Sequence, residues 1–233
     1  MKFLIFLLFS LSVLLLPACS VVSDKQNSEK NVSTDAVAKL WSIARPQVEA
    51  FDDRNAAQSL KYASLKVDVD GGGLGTMVLA MHTSLGQQWH SADGFSLTTF
   101  DGRFSQFYVP GLDLSRIEIS PLFANYNFRA AHCFKAVKAA FEVDNDTAHR
   151  FKVLGQAVLA FEGVVQREYW GQPATMLHFT ESVSIKTLGF EHTNHYWVLP
   201  DSYYVWESEQ QWWPTAPLTY YQVLKPWKEV LYP

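Results

Sequence analysis

Tyr62 to His82 reads YASLKVDVDGGGLGTMVLAMH, and the fold class follows from it. Tyr62 to Val69 is a short run of apolar and β-branched residues, Gly71-Gly72-Gly73 is a turn, and Thr76 to His82 is a second run of the same texture. Two such runs joined by glycines form a β-hairpin. The glycines lack the spacing of a dinucleotide-binding loop and stand between strands rather than before a helix, so they are a turn and not a phosphate cradle.

The same texture continues toward the C-terminus. Phe95 to Phe100, Phe104 to Val109, Arg116 to Ser120, Glu181 to Lys186, His195 to Leu199, Tyr203 to Glu207 and Leu218 to Leu224 are further strand-like runs. Ala92-Asp93-Gly94, Asp101-Gly102 and Asp144-Asn145-Asp146 supply turns between them. Many short strands with regular turns predict a mainly β domain, an antiparallel sandwich or a barrel. Ala130 to Val143, AAHCFKAVKAAFEV, is alanine-rich but flanked by strand-like sequence, and we read it as strand.

Toward the N-terminus the character changes. Thr34 to Phe51 carries Val37, Leu40, Trp41 and Ala44 at helical spacing behind capping candidates Ser33, Thr34 and Asp35, with Pro46 as a kink. Residues 20–33 are polar and of mixed charge and cannot bury enough surface to fold, so they read as a tether. Before them stands Lys2, an apolar run from Phe3 to Leu16, and Leu16-Pro17-Ala18-Cys19. That is the layout of a signal peptide ending in a lipobox-like motif. The expected organisation is a signal peptide over 1–18, a lipidated Cys19 with tether over 19–33, and one mostly-β periplasmic domain over 34–233. Each buried methylene contributes about 0.8 kcal/mol, so several acyl chains on Cys19 would anchor the chain firmly in a membrane. Ser20 after the cysteine, in place of an aspartate, favours the outer membrane.

The formal net charge is −4, and no stretch clusters lysine and arginine. Nucleic acid is therefore excluded as a partner, since phosphate contacts need such clusters. Two cysteines are too few for a disulfide scaffold. The motifs of serine hydrolases, P-loop proteins, Cys-x-x-Cys redox proteins and His-Glu-x-x-His metalloenzymes are missing. His192 and His195 lie three apart, which on a strand means opposite faces, so neither a metal nor any other cofactor is expected. Glu207 and Glu209 share a strand face, but neighbours on one face cannot flank a sugar bond, and they read as solvated.

Aromatic side chains offer more. The C-terminal part holds Tyr196, Trp197, Tyr203, Tyr204, Trp206, Trp212, Trp213, Tyr220, Tyr221 and Trp227. Rings with a polar edge stack on the apolar faces of sugars, and they also fill β cores. Adjacent strand residues cannot both face one core, which singles out Trp212-Trp213 as a surface candidate.

YASLKVDV at 62–69, WHSADGFSLTTFDGR at 89–103, Gly111-Leu112, NHYWV at 194–198, WESEQQWWP at 206–214 and LKP at 224–226 occur in this order. In that combination the chain resembles the YjbF/GfcB (YmcC) family of bacterial lipoproteins, encoded with capsule and exopolysaccharide genes. Phe107 to Pro110 depart from the family's pattern, and 123–163 does not match it. The resemblance implies a mainly β periplasmic domain on the outer membrane with an accessory role in polysaccharide secretion or assembly. It supplies no catalytic residues. Trp89, Arg103, Trp206, Trp212 and Trp213 are the candidate contacts for a glycan or an export-machinery protein, with Arg103 able to offer its guanidinium fork to an acidic sugar. The expectation is thus a non-enzymatic, lipid-anchored accessory factor. The alternatives are a polysaccharide hydrolase or a structural envelope lipoprotein with a protein partner.

Overall fold

The computed structural model describes residues 59–70, 73–92, 94–109, 112–119, 125–169 and 172–227. The expected signal peptide, Cys19, the tether and the helix over 34–51 lie outside them. Twelve strands follow one another: β1 (Ser64–Val69), β2 (Gly73–Thr83), β3 (Gly86–Ser91), β4 (Ser96–Phe100), β5 (Arg103–Val109), β6 (Leu112–Ile119), β7 (Ala136–Asn145), β8 (Arg150–Tyr169), β9 (Gln172–Ile185), β10 (Phe190–Val198), β11 (Val205–Gln210) and β12 (Thr219–Lys225), with helix α1 (Phe128–Phe134) between β6 and β7. Each strand pairs antiparallel with its neighbour in sequence, and β12 returns to β1, so the sheet closes into a barrel. Of the two architectures the sequence allowed, the barrel is the one formed. Closure leaves no sheet edge along the paired stretches.

Period-two alternation decides what points inward. Along β9, Leu177, Phe179, Glu181, Val183 and Ile185 are buried; along β10, Phe190, Asn194, Tyr196 and Val198 are. A twelve-stranded barrel is wider than eight strands require, and a wide barrel must either hold something or be filled. Here it is filled. Trp89, Trp206, Trp212, Tyr196, Phe128, Phe141 and Phe179 are fully buried. Gly155 makes room for the Phe141 ring, whose tip lies 2.2 Å from where a Cβ would sit, and Phe141 meets Trp212 edge to face at 5.3 Å.

The stretch read as strand from Ala130 is divided. Asn127 accepts a hydrogen bond from the Ala130 N–H at 2.8 Å and caps α1, whose alanines favour the helix. Lys135 then takes a positive φ of 69° and stops it, and β7 begins at Ala136. Helix α1 inserts Phe128 between Phe179 and Tyr196, at 5.2 Å from each. At the end of the barrel where α1 lies, β8 and β9 run on as a two-stranded ribbon, paired to Tyr169↔Gln172, past the last β7 pair at Ala136↔Ala160 and the last β10 pair at Val198↔Leu177. A bulge at Phe161/Gly163, with Gly163 at φ 151°, bends the ribbon.

Candidate functional site

Inside the barrel sits one buried ion pair. Asp101 and Gly102 make the β4–β5 turn with φ of 50° and 75°. A Cβ on Gly102 would come within 2.2 Å of Val205, so glycine is required twice over. The turn aims Arg103 into the core. Its Nε donates to Glu181 Oε1 at 2.8 Å, and Glu181 also accepts from the hydroxyls of Tyr126 at 2.7 Å and Tyr196 at 2.5 Å. The guanidinium rests on the rings of Phe128 at 4.4 Å, Tyr126 at 5.1 Å and Tyr196 at 5.5 Å. Burial works against its charge, but the Glu181 carboxylate, with Asp101 at 3.4 Å from Nη1 on the other side, outweighs burial and moves its pKa up. Burial, then the Glu181 charge, raises both phenols, so Tyr126 and Tyr196 stay protonated and keep donating. Alongside, Gln210 Oε1 accepts from the Trp212 indole at 3.0 Å and the Phe104 N–H at 3.1 Å and lies 3.2 Å from the Tyr196 oxygen, while its Nε2 donates to the Gly102 carbonyl at 2.9 Å.

This geometry corrects the surface reading of the five candidate contacts. Trp89, Arg103, Trp206, Trp212 and Trp213 are all buried, none more than 5% exposed. Trp89 donates its indole N–H to Thr99 Oγ1 at 3.0 Å inside the barrel. Trp212 and Trp213 are buried together because β11 has ended at Gln210, and off the sheet strand alternation no longer separates neighbours. None of the five presents a face on which a sugar could stack.

The outer wall holds a different set. Register places His178, Trp197, Glu207 and Gln222 in one row across β9, β10, β11 and β12. The next row is Thr180, His195, Glu209 and Tyr220. Neighbouring strands are about 4.8 Å apart, so each row spans about 14 Å. His178 Nε2 and His195 Nδ1 are 3.1 Å apart. An N–H donates in the ring plane, so these imidazoles meet edge to edge, with planes 8° apart. The Trp197 ring lies within 11° of the first and 19° of the second. Burial, then the neighbouring His195, lowers the pKa of His178.

From the ribbon, Arg167 reaches over this wall. Its guanidinium sits 4.3 Å from the Trp197 centroid and donates to Glu207 Oε2 from Nε at 3.1 Å and Nη2 at 2.6 Å. Gln222 donates to the other oxygen at 3.0 Å. Glu207 and Glu209 do share the outward face, but Glu207 is 2% exposed beneath these partners rather than solvated. Burial and the Glu207 charge raise the Tyr220 phenol, which stays protonated. Sequence alone could not assemble this wall, because it depends on register between four strands. His192, by contrast, alternates away from His195. Among the described residues no three metal-ligating side chains come together.

A filled, up-and-down antiparallel barrel with a buried arginine–glutamate pair at one hairpin is thus the class of protein on view. The family model described as "Group 4 capsule polysaccharide lipoprotein gfcB, YjbF" matches residues 37–224, and the chain belongs to that family of capsule-associated envelope lipoproteins. Among solved structures, the hypothetical lipoprotein YmcC from Escherichia coli (K12) shares the fold, with a TM-score of 0.68 at 18% identity over 85% of this chain and 99% of that one. No curated protein matches the chain.

Proposed function

We propose that this protein is a non-enzymatic accessory factor in the secretion or assembly of capsule polysaccharide, held on the periplasmic face of the outer membrane by acyl chains on Cys19, and that it meets the polymer on its outer wall. The observation that carries this reading is the packed lumen. With Trp89, Trp206, Trp212, Tyr196 and Phe128 filling the barrel, a polymer has no interior path, and contact falls to the outside. There His178, Trp197 and Gln222, with Thr180, His195, Glu209 and Tyr220 in the next row, combine flat rings with hydroxyl, amide and carboxylate groups, the chemistry that holds pyranoses, while Glu207 beneath them anchors Arg167 and Gln222.

The test is titration of the full-length protein with the host's exopolysaccharide, following tryptophan fluorescence and the release of reducing ends. Saturable quenching that Trp197→Ala removes and His178→Ala weakens, with no new reducing ends, is expected. Retention of full binding in both variants would place the polymer elsewhere, and reducing ends growing with time would make the protein a hydrolase.

A further inference from the structure

Helix α1 carries a second feature that the outer wall does not use. Arg129 and His132, three apart on α1, share one side of the helix about 5–6 Å apart, and Lys135, the residue that ends the helix, continues the stripe by reaching the same Phe161 ring as His132. The face beside it, Phe128 and Ala131, is buried in the barrel. Each member of the stripe is laid against an aromatic ring. The Arg129 guanidinium lies 5.1 Å from the Tyr203 centroid, the His132 ring 4.5 Å from Phe161, and Lys135 Nζ 5.1 Å from Phe161. His132 Nδ1 and the Tyr203 hydroxyl are 2.8 Å apart, which fixes the imidazole and turns its Nε2 away from Tyr203. Phe134, at the end of the helix, is 68% exposed.

Two observations set this stripe apart from an ordinary solvated face. Among the described residues, neither Arg129 nor Lys135 makes an ion pair with a carboxylate. Glu162, next to Phe161 in the chain, accepts from Thr180 Oγ1 at 2.6 Å instead. Moreover, the rings beneath the stripe, Phe161 and Tyr203, come from segments outside α1, so the array is held in place by β8 and by the Tyr203 turn as well as by the helix.

We propose that Arg129, His132 and Lys135, with the exposed Phe134 beside them, form a binding site for the carboxylates of an acidic polysaccharide. The proposal rests on the reading that this chain handles capsule polymer. The charge balance calls for such a site: at a formal net charge of −4, the protein as a whole repels a polyanion, and only a local array of cations can hold one. A membrane surface fits the array less well. Lipid headgroups are bound by long basic side chains free in solution, whereas these cations are already ordered on rings, which lowers the entropy lost in binding a discrete ligand.

The experiment uses the full-length protein in detergent, an oligogalacturonate as the acidic probe, a neutral dextran oligomer as control, and vesicles containing phosphatidylglycerol. Arg129→Gln with Lys135→Asn removes both fixed charges, and asparagine tolerates the positive φ at 135. Expected are saturable binding of oligogalacturonate that weakens with salt, at least a tenfold rise in Kd in the double variant with unchanged near-UV circular dichroism, and recovery in Arg129→Lys with Lys135→Arg. Equal oligogalacturonate binding by wild type and double variant overturns the site. So does binding of vesicles, lost in the double variant, with the oligosaccharide ignored. If host polymer still quenches Trp197 while oligogalacturonate fails, only this inference falls; if neither binds, the underlying reading falls with it.

Discussion

Arg103→Met is the substitution whose outcome the core geometry fixes most tightly. It deletes the 2.8 Å bond to Glu181 and the guanidinium that rests on Phe128, Tyr126 and Tyr196. Glu181 is 0% exposed, so its charge is left buried with two tyrosine hydroxyls and no cation. Removing one member of a buried pair costs about 3–5 kcal/mol, most of it the desolvated survivor. For a domain of this size each kcal/mol lowers Tm by about 2–4 °C, so a drop on the order of 10 °C is expected. Glu181→Leu alone should also destabilise but by less, since Arg103 Nη1 keeps the Asp101 carboxylate at 3.4 Å. Combining Arg103→Met with Glu181→Leu should recover most of the loss, because well-packed apolar groups replace both charges, and the groups that lose a partner are the two tyrosine hydroxyls and the partly exposed Asp101. Urea or thermal unfolding of the four proteins of the cycle measures this, and host polymer binding by the folded variants should not change. A single-variant cost below about 1 kcal/mol, or a double variant no better than the sum of the singles, would refute the view that this pair is a sealed structural element.

Gly102→Ala should destabilise by about 3 kcal/mol, adding backbone strain at φ 75° to a Cβ driven into Val205. Gly94→Ala, at φ 88° with nothing within 4 Å of its Cβ, isolates the strain alone and should cost about 1 kcal/mol; equal losses would show that the Val205 contact is immaterial. Stability should also fall as pH drops below 6.5. Burial lowers the pKa of His178, and likewise those of His90 and His192, so the unfolded chain binds protons that the folded one resists. The contribution of these histidines is present above 6.5 and is lost as pH falls through their lowered folded values. Thermal melts from pH 8 to pH 5, with His178→Asn expected to flatten the profile, check the sign, and an NMR titration placing His178 above 6.5 would reverse it.

The mainly β class was legible because it needs only local signals: the hairpin around Gly71 to Gly73, the Asp101-Gly102 turn, and short β-branched runs, most of which coincide with strands. Closure was not legible, since it rests on β1 meeting β12 across most of the chain, and no local pattern distinguishes that from two stacked sheets. Two strands escaped notice for opposite reasons. β3, GQQWHS, carries too few apolar residues to stand out; β8, RFKVLGQAVLAFEGVVQREY, is long and has no turn inside it, because it serves first the barrel and then the ribbon. Helix α1 lost out to its β surroundings although Asn127 and the alanines spelled a short helix.

The exposed rings were misassigned for a more general reason. Aromatic density in the C-terminal third of the chain could not say which rings look outward, and a barrel this wide needs large rings to fill it. Trp206, Trp212 and Trp89 meet that need, and Arg103 is held in the core by Glu181. The rings left for the outside are those whose parity in the register opposes the core: Trp197 opposes Tyr196, and His195 opposes Asn194. Parity can be read once the buried member of each pair is known, and NHYWV at 194–198 contains both kinds. The same stretch therefore builds the wall from both sides: Asn194, Tyr196 and Val198 seal the lumen, and His195 and Trp197 face outward, where the proposed polymer contact can form without disturbing the core.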